Sequence, residues 1–299
     1  MDRPPGWRWA TAATVVITLA TRVGVADERR WDQLTPSPPP AGAIGGHASG
    51  CLAGAEPLPL DGLGYQVMRP SRNRFYGHPT TIEFVRELAV AMHARGRGAV
   101  LVGDLAQSRG GPMLSGHRSH QTGLDVDIWF VAGPAWTMSF EEGEGMSPIS
   151  MVDRQGIEVD PTIWTVGHVD LLRIAADFPQ VDRIFANAAI KQQLCRTVGE
   201  DRSWLAKIRP WWGHDQHFHV RLRCPADSIE YLDQQPSVPA GDGCDETLAW
   251  WFSEDAEDEM RKLQAKPARP MTLDDLPSGC RVVLTGSDAE FGPESDDHR

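Results

Sequence analysis

Residues 116–130, with the sequence GHRSHQTGLDVDIWF, join a polar cluster to an apolar run. In the second half of this stretch apolar and acidic residues alternate, which is typical of a β-strand with one polar face. The alternation places Asp125 and Asp127 on the same face, and two histidines precede them across a turn that contains Gly123. Core packing does not account for so many proton- and metal-binding groups side by side. The stretch therefore predicts a strand that carries a functional site.

Residues 211–219, WWGHDQHFH, form a second cluster in which three histidines lie within six residues. On a strand, His217 and His219 point to one face, and Phe218 points to the other face, towards the core. Five of the ten histidines of the chain fall in these two short windows. This concentration is the strongest functional signal in the sequence.

The residue types in both clusters suit a catalytic zinc ion. Such an ion takes three protein ligands from His, Asp or Glu and keeps a fourth position for water, which it acidifies towards neutral pH. His120 and Asp127 can reach one ion from adjacent backbone segments, and His219 on a neighbouring strand completes the set. His214 or His217 can then accept the proton of the water or stabilise the oxyanion. We therefore predict a zinc-dependent hydrolase.

Other catalytic schemes and partner classes find less support in the sequence. The chain contains no Ser-x-x-Lys, Gly-x-Ser-x-Gly or His-Glu-x-x-His motif, and no glycine-rich phosphate loop follows a strand. A formal net charge of −12 argues against nucleic acid and anionic membrane surfaces as partners. The sequence does not indicate an oligomeric state.

The N-terminus, residues 1–26, is predicted to be a signal peptide. Arg3 and Arg8 precede an apolar run at residues 10–20, and small residues before Asp27 suit cleavage at that point. The run is too short to span a bilayer comfortably, and a membrane anchor is the alternative interpretation. We therefore expect an exported protein without stable membrane insertion after cleavage.

We expect one folded domain at residues 51–285. The preceding segment, 27–50, is predicted to be a flexible Pro- and Gly-rich leader, and residues 286–299 an acidic disordered tail. Hydrophobic periodicity predicts an α+β domain with a central, mainly antiparallel sheet flanked by helices. The predicted helices cover residues 81–95, 169–178, 188–198 and 244–262, and the predicted strands cover residues 99–106, 124–130, 181–185 and 218–224.

Five segments of the chain together resemble one known family. They are YQVMRPSRNRFYGHP (65–79), SHQTGLDVDIWF (119–130), NAAIKQQLC (187–195), WWGHDQHFHVRLRCPAD (211–227) and GDGC (241–244). These segments are similar to those of the penicillin-insensitive murein endopeptidases. That family consists of periplasmic zinc peptidases in the group that includes lysostaphin-type and D-Ala-D-Ala peptidases and the hedgehog domain. The resemblance extends from about Cys51 to Leu284 and implies a hedgehog- and D-Ala-D-Ala-peptidase-like fold.

The resemblance also implies roles for the two histidine clusters. One Zn²⁺ ion is expected, and its ligands match His120, Asp127 and His219. The family's other active-site histidines match His117, His214 and His217. In related peptidases a Glu three residues before the last zinc histidine acts as the base, and Gln216 stands in that place here. The base is therefore expected to be His214 or His217.

Two site residues keep alternative interpretations. His117 is either a metal ligand or a packing residue; some family members bind a second metal through its counterpart together with an Asp and a His from a later loop. The corresponding loop, residues 152–160, has no histidine, so a second metal is expected only if Asp153 or Glu158 replaces it. Asp125 either grips the amino group of the substrate's diamino acid or hydrogen-bonds to a zinc ligand.

The chain has five widely separated cysteines and no Cys-x-x-Cys motif. In an oxidising compartment four of them can form two disulfides, and spacing alone does not assign the pairs. The resemblance implies the pairs Cys51–Cys280 and Cys195–Cys244. Because Tyr231 stands where the family has the partner of Cys224, Cys224 is expected to be a free thiol.

Three functions remain open at this point. The leading hypothesis is a periplasmic endopeptidase that hydrolyses D-alanyl–meso-diaminopimelyl cross-links between stem peptides of peptidoglycan and is insensitive to β-lactams. The second hypothesis keeps the zinc site but directs it to terminal D-Ala-D-Ala, as a carboxypeptidase or dipeptidase. The third is a zinc-bearing cell-wall binding module without turnover, which Gln216 in the base position favours.

Overall fold

The computed structural model describes residues 28–114, 116–228, 230–266 and 269–286. The predicted signal peptide, residues 1–26, lies outside the described residues, and so does the predicted acidic tail apart from Gly286. Within the described ranges, none of the helices is both long and apolar enough to cross a membrane.

The described chain folds into a mixed α/β domain. Its strands are β1 (Gly42–Gly46), β2 (Ser49–Ala53), β3 (Glu56–Pro57), β4 (Asp61–Gly62), β5 (Tyr65–Val67), β6 (Tyr76–Gly77), β7 (Val100–Val102), β8 (Asp125–Trp129), β9 (Val181–Ala186), β10 (Ile208–Pro210) and β11 (His217–Leu222). Its α-helices are α1 (Pro79–His93), α2 (Phe140–Gly145), α3 (Val166–Asp177), α4 (Ala188–Thr197), α5 (Glu246–Trp250), α6 (Glu254–Ala265) and α7 (Ser278–Thr285). Short 3-10 turns occur at Glu28–Gln33, Pro70–Arg72, Ser203–Lys207 and Leu273–Asp275.

Seven strands form the central sheet, in the order β10-β9-β11-β8-β7-β5-β4. The pairs β10–β9 and β5–β7 are parallel, and the other four are antiparallel. The predicted α+β domain with a mainly antiparallel sheet is therefore confirmed. The pairing of β11 with β8 sets His219 opposite Asp127 and Arg221 opposite Asp125. This register brings the two polar clusters of the sequence together at the centre of the sheet.

Helix α1 shows why the apolar pattern of residues 81–95 was a reliable signal. Ile82, Val85 and Leu88 recur at helical spacing and are fully buried in the main core. Pro79 occupies the first turn, where its missing N–H costs nothing. The ring of His78 caps this end by accepting a hydrogen bond from the amide of Thr80. His78 is thus a capping residue at the start of the helix.

Two predicted elements are shorter in the structure than in the prediction. The strand expected at 99–106 ends at Val102, because Leu105 and Ala106 leave it to bond with the backbone of Arg74 and Tyr76. The helix expected at 244–262 is divided into α5 and α6. Ser253 lies at the division, and its hydroxyl accepts a hydrogen bond from the amide of Ala256, which starts α6.

Much of the segment 27–50 packs against the domain rather than forming a separate leader. Residues 42–50 contain β1 and the start of β2, and these two strands pair along their whole length. Ala43 belongs to the main core, and Trp31 is buried beside the disulfide of Cys51 and Cys280. Composition alone predicted a flexible leader, because it does not reveal that these apolar side chains have partners far along the chain.

Candidate metal site

Asp127 on β8 lies at the centre of the site, because four histidine rings approach its carboxylate. Its Oδ1 is 3.4 Å from Nε2 of His120 and 3.2 Å from Nδ1 of His219. Its Oδ2 is 3.3 Å from Nε2 of His117 and 3.7 Å from Nε2 of His217. The structure thus places the three residues predicted as metal ligands around one buried oxygen atom.

The donor atoms of this group fit a metal ion. Among the residues that the structure describes, Asp127 Oδ1 and both ring nitrogens of His120 are buried without a hydrogen-bond partner. An unpaired buried polar atom costs about 1–3 kcal/mol, so Asp127 Oδ1 and the His120 Nε2 that faces it call for a ligand. His117, His120 and Asp127 each offer a ligating atom, and these three atoms lie within 4.8 Å of one another. His219 adds Nδ1 from the neighbouring strand.

Asp125 orients the His219 ring by accepting a hydrogen bond from Nε2, on the side of the ring that faces away from Asp127. Its Oδ1 accepts hydrogen bonds from His219 Nε2 at 2.8 Å and from Arg221 Nε at 2.7 Å, and its Oδ2 accepts one from the amide of His120 at 3.1 Å. Because Nε2 of His219 donates to this carboxylate, Nδ1 keeps its lone pair towards Asp127. Asp125 is completely buried. The geometry therefore favours the supporting role over contact with the substrate.

Electrostatics keeps the two aspartates ionised, and burial makes His120 easier to deprotonate. Burial raises the pKa of Asp125 and of Asp127, but nearby positive charge outweighs it and holds both pKa values well below the usual range. The main such partner is Arg221 for Asp125 and His120 for Asp127. Burial lowers the pKa of His120, which favours the neutral imidazole that binds metals.

A carboxylate that the sequence reasoning missed, Asp104, supports the other side of the site. Its Oδ2 lies 3.0 Å from His117 Nε2 and accepts hydrogen bonds from Arg72 and Arg74, both at 2.9 Å. Asp104 is only 5% exposed. Its position directly after the apolar run of β7 was a usable signal, but the strand was expected to continue through it.

His214 is held as a proton acceptor beside this group. Its Nδ1 donates to the carbonyl of Trp212 at 2.9 Å, which leaves Nε2 as the acceptor. Burial, together with the charges of His219 and His217, lowers the pKa of His214 to about 4, so the ring is neutral at pH 7. The His217 ring lies 5.1 Å from the His214 ring and is partly exposed. Gln216, between them, is exposed at the surface.

Two of these histidines have a strained backbone. His120 has φ of 67° and His214 has φ of 53°, both in the left-handed region that non-glycine residues rarely adopt. Among the described residues only two other non-glycines, Arg69 and Asn73, share this feature. Such strain costs about 1–3 kcal/mol and is concentrated at functional sites.

The residues considered for a second metal are engaged elsewhere. The Oδ1 of Asp153 accepts a hydrogen bond from the amide of Ile157 at 3.1 Å, within a turn of the 152–160 loop. Glu158 pairs with Arg196 at 3.0 Å. Neither carboxylate belongs to the His117–His120–Asp127 group, and the loop brings no histidine to it.

Both disulfides implied by the resemblance are present. Cys51–Cys280 joins β2 to α7, and Cys195–Cys244 joins α4 to the segment before α5. Cys224 is a free cysteine whose Sγ lies 3.3 Å from the carbonyl oxygens of Pro225 and Ser228.

A mainly antiparallel sheet that presents a buried carboxylate ringed by histidines defines a candidate metal-dependent hydrolase. The sequence profile of the penicillin-insensitive murein endopeptidases matches residues 43–285. The chain therefore belongs to that peptidase family, and the resemblance drawn from its motifs is confirmed.

Several proteins named penicillin-insensitive murein endopeptidase are similar to this chain along most of their length. The protein from Yersinia enterocolitica is 45% identical over 280 residues, which cover 93% of this chain and 97% of that protein. The one from Haemophilus influenzae is 45% identical over 244 residues, 82% of each chain. The one from Klebsiella pneumoniae is 41% identical over 273 residues, 90% of this chain and 96% of its own.

Proposed function

We propose that this protein is a zinc-dependent D,D-endopeptidase of the periplasm that hydrolyses D-alanyl–meso-diaminopimelyl cross-links in peptidoglycan. One observation carries the proposal: buried Asp127 Oδ1 has no hydrogen-bond partner among the described residues and faces His120 and His219. Membership of a family of murein endopeptidases supplies the substrate class.

Zinc is the metal that this donor set favours. Two imidazoles and one carboxylate are a common ligand set of catalytic zinc, whereas Mg²⁺ and Ca²⁺ prefer oxygen ligands. His120, Asp127 and His219 would hold the ion, with His117 within reach of the same place. When bound, the ion polarises the scissile carbonyl and acidifies water.

The remaining residues orient the ligands and move protons. Asp125 fixes the tautomer of His219 through its Nε2–H, and Asp104 holds His117. His214 presents Nε2 as an acceptor because its Nδ1–H is bonded to the carbonyl of Trp212. His214 or His217 accepts the proton of the attacking water and returns it to the leaving amine.

Insensitivity to β-lactams follows from this arrangement. β-Lactams inhibit peptidoglycan peptidases by acylating a nucleophilic serine, and the chain has no Ser-x-x-Lys motif. No side chain is acylated in the proposed reaction.

Export to the periplasm agrees with two features of the chain. The predicted signal peptide, residues 1–26, provides the route. The two disulfides suit an oxidising compartment. Peptidoglycan is the proposed partner. The net charge of −12 argues against nucleic acid, and we propose no stable membrane insertion after cleavage.

The test is digestion of intact, cross-linked peptidoglycan by the purified mature protein, with and without a chelator and in the presence of penicillin. We expect cross-linked muropeptide dimers to fall to monomers, the chelator to stop the reaction, added zinc to restore it, and penicillin to have no effect. Loss of terminal D-Ala with dimers intact would instead identify a carboxypeptidase. Metal binding without any cleavage would identify a binding module.

A further inference from the structure

Four tryptophans form one cluster at the surface beside β10 and α5, here called the indole cluster: Trp211, Trp212, Trp250 and Trp251. Trp212 lies at the centre, with its ring centroid 5.5 Å from Trp211, 6.2 Å from Trp250 and 4.8 Å from Trp251. Trp211 is 46% exposed and Trp250 is 38% exposed. A contiguous exposed apolar surface of this kind is characteristic of a binding site rather than of a core.

The fold holds the cluster in place. Asp245 caps α5 by accepting a hydrogen bond from the amide of Thr247 at 3.0 Å. The disulfide Cys195–Cys244 attaches the start of this short helix to α4. On the other side, the amide of Trp211 donates to the carbonyl of Ala186 at the end of β9. The exposed rings therefore stand on anchored backbone.

The indole cluster is continuous with the candidate metal site. The ring of Phe185 lies 5.6 Å from Trp211 on one side and 5.5 Å from His219 on the other. The carbonyl of Trp212 accepts the hydrogen bond that orients His214. A ligand on the cluster would thus be in contact with the same loop that positions the proton-transfer histidine.

The chemistry of the surface selects a flat, neutral ligand. An indole face is apolar and electron-rich, and it attracts the C–H face of a pyranose ring. The neighbouring residues Asp245, Glu246 and Glu254 are exposed and acidic, and they disfavour the free carboxylates of a stem peptide. An N-acetylated hexosamine of the glycan strand has the required shape and no charge.

The spacing agrees with this assignment. An extended stem of four residues spans about 13 Å. Successive rings in the series His219, Phe185, Trp211, Trp212 and Trp250 are 5.5, 5.6, 5.5 and 6.2 Å apart. The stem is thus as long as two to three ring steps, which lead from His219 to Trp211 or Trp212, and a glycan strand continues from there past Trp250. With the cross-link at Asp127, the sugar that carries the stem comes within reach of the cluster.

We infer that the indole cluster is a glycan subsite that binds an N-acetylhexosamine ring of the strand whose cross-link is cleaved. This inference rests on the proposed function. It assigns Trp250 and Trp211 a contact with sugar, and it makes the enzyme prefer cross-links that are still attached to glycan.

The experiment compares two substrates: cross-linked muropeptides that carry their sugars, and the same cross-linked peptides after an amidase has removed the sugars. We expect Trp250→Ala to lower kcat/KM on the sugar-bearing substrate by roughly tenfold, because a stacking contact worth about 1.4 kcal/mol is lost. The change should appear as a higher KM with kcat retained. It should leave the sugar-free peptides unaffected. Trp250→Phe, which keeps a flat ring, should retain most of the activity on both. Trp136→Ala, which removes a 65% exposed tryptophan beside β5, is the matched control.

A second measurement does not depend on turnover. Titration of the wild-type protein with a β-1,4-linked N-acetylglucosamine oligomer should change tryptophan fluorescence with saturation, and Trp250→Ala should weaken binding. Equal losses of Trp250→Ala on both substrates, or no loss on either, would overturn the glycan subsite. If the wild type cleaves neither substrate, the proposed function fails, and the oligomer titration decides the subsite independently.

Discussion

Asp127 on β8 and Lys191 on α4 are both buried charged residues, but their surroundings are opposite. The Nζ of Lys191 donates to the backbone carbonyls of Leu205 and Asp242 and ties α4 to the loops beside it. Asp127 Oδ1, in contrast, has no hydrogen-bond partner among the described residues and faces histidine nitrogens. Burial of charge alone therefore does not mark a functional site. What distinguishes Asp127 is that its unpaired oxygen lies within a group of ligating side chains, with His117 and His120 beside it.

The strongest test of this contrast removes a metal ligand. We expect His120→Ala to abolish metal binding and peptidoglycan hydrolysis together, because His120 supplies one of the three proposed ligands. Bound zinc per protein and release of monomers from cross-linked muropeptides measure the two effects. His93→Ala, at the exposed end of α1, should change neither. A His120→Ala protein that still cleaves at the wild-type rate would refute the ligand assignment.

The next largest effect concerns the two proton-transfer candidates. Replacement of the residue that transfers the proton, His214 or His217, by Ala should lower kcat by roughly 10²- to 10⁴-fold with zinc content unchanged. The measurement is kcat at saturating substrate, together with metal content, for each variant. If both variants kept full kcat, neither histidine would be the base.

A smaller effect is expected at Asp125, which hydrogen-bonds to the proposed ligand His219 and to the amide of His120. Asp125→Asn should lower zinc affinity by about 10- to 100-fold, because the amide orients His219 less firmly than the carboxylate. Competition with a chromophoric chelator measures this affinity. Asp258→Asn on the exposed face of α6 is the control. Unchanged zinc affinity would show that Asp125 only stabilises the sheet.

Lys191 should show the reverse pattern, with stability affected and activity retained. Lys191→Met removes the hydrogen bonds from Nζ to the carbonyls of Leu205 and Asp242, so we expect a loss of about 1–3 kcal/mol in the free energy of unfolding. Denaturant titration measures this loss, and Lys262→Met at an exposed position should cause none. A catalytic defect in folded Lys191→Met protein would contradict the comparison.

The same residue predicts a pH dependence of stability. Burial lowers the pKa of Lys191 in the folded protein to about 7, whereas the ordinary value is 10.5. Between these values the unfolded state binds more protons, so this group makes stability rise with pH, by at most about 1.4 kcal/mol per unit. The cost of burying the charged group is absent above pH 10.5, grows as the pH falls and is complete below about pH 7. Lys191→Met should remove this slope when unfolding is measured from pH 7 to pH 10, and a wild-type slope in the variant would contradict the pKa shift.

Local patterns in the sequence predicted most of the elements around the site. Alternation placed Asp125 and Asp127 on one face of a strand, and the structure has that strand as β8. The apolar spacing of residues 81–95 predicted α1 to within two residues at each end. Both signals succeed because they depend on side chains a few positions apart along the chain. The disulfide pairs came from the family resemblance and not from spacing.

Contacts between distant segments were beyond such reasoning. Asp104 follows β7, which lies beside β8, and it meets His117 although the two residues are 13 positions apart in sequence. Trp31 and Ala43 were predicted to lie in a flexible leader, but in the fold both are buried against apolar residues from distant segments. The four tryptophans of the indole cluster come from two segments about 40 residues apart in sequence, which the Cys195–Cys244 disulfide helps to bring together.

The amino-acid sequence by itself determined which chemical groups the protein carries, which face of each strand they occupy, and the family to which the chain belongs. Tertiary structure decided which partners each of these groups contacts. Asp125 and Asp127 are the same residue type on the same face, yet one pairs with Arg221 and the other meets His120 and His219. The register between β8 and β11 makes that difference, because it sets Arg221 opposite Asp125 and His219 opposite Asp127. We therefore propose Asp125 as a support and Asp127 as a metal ligand.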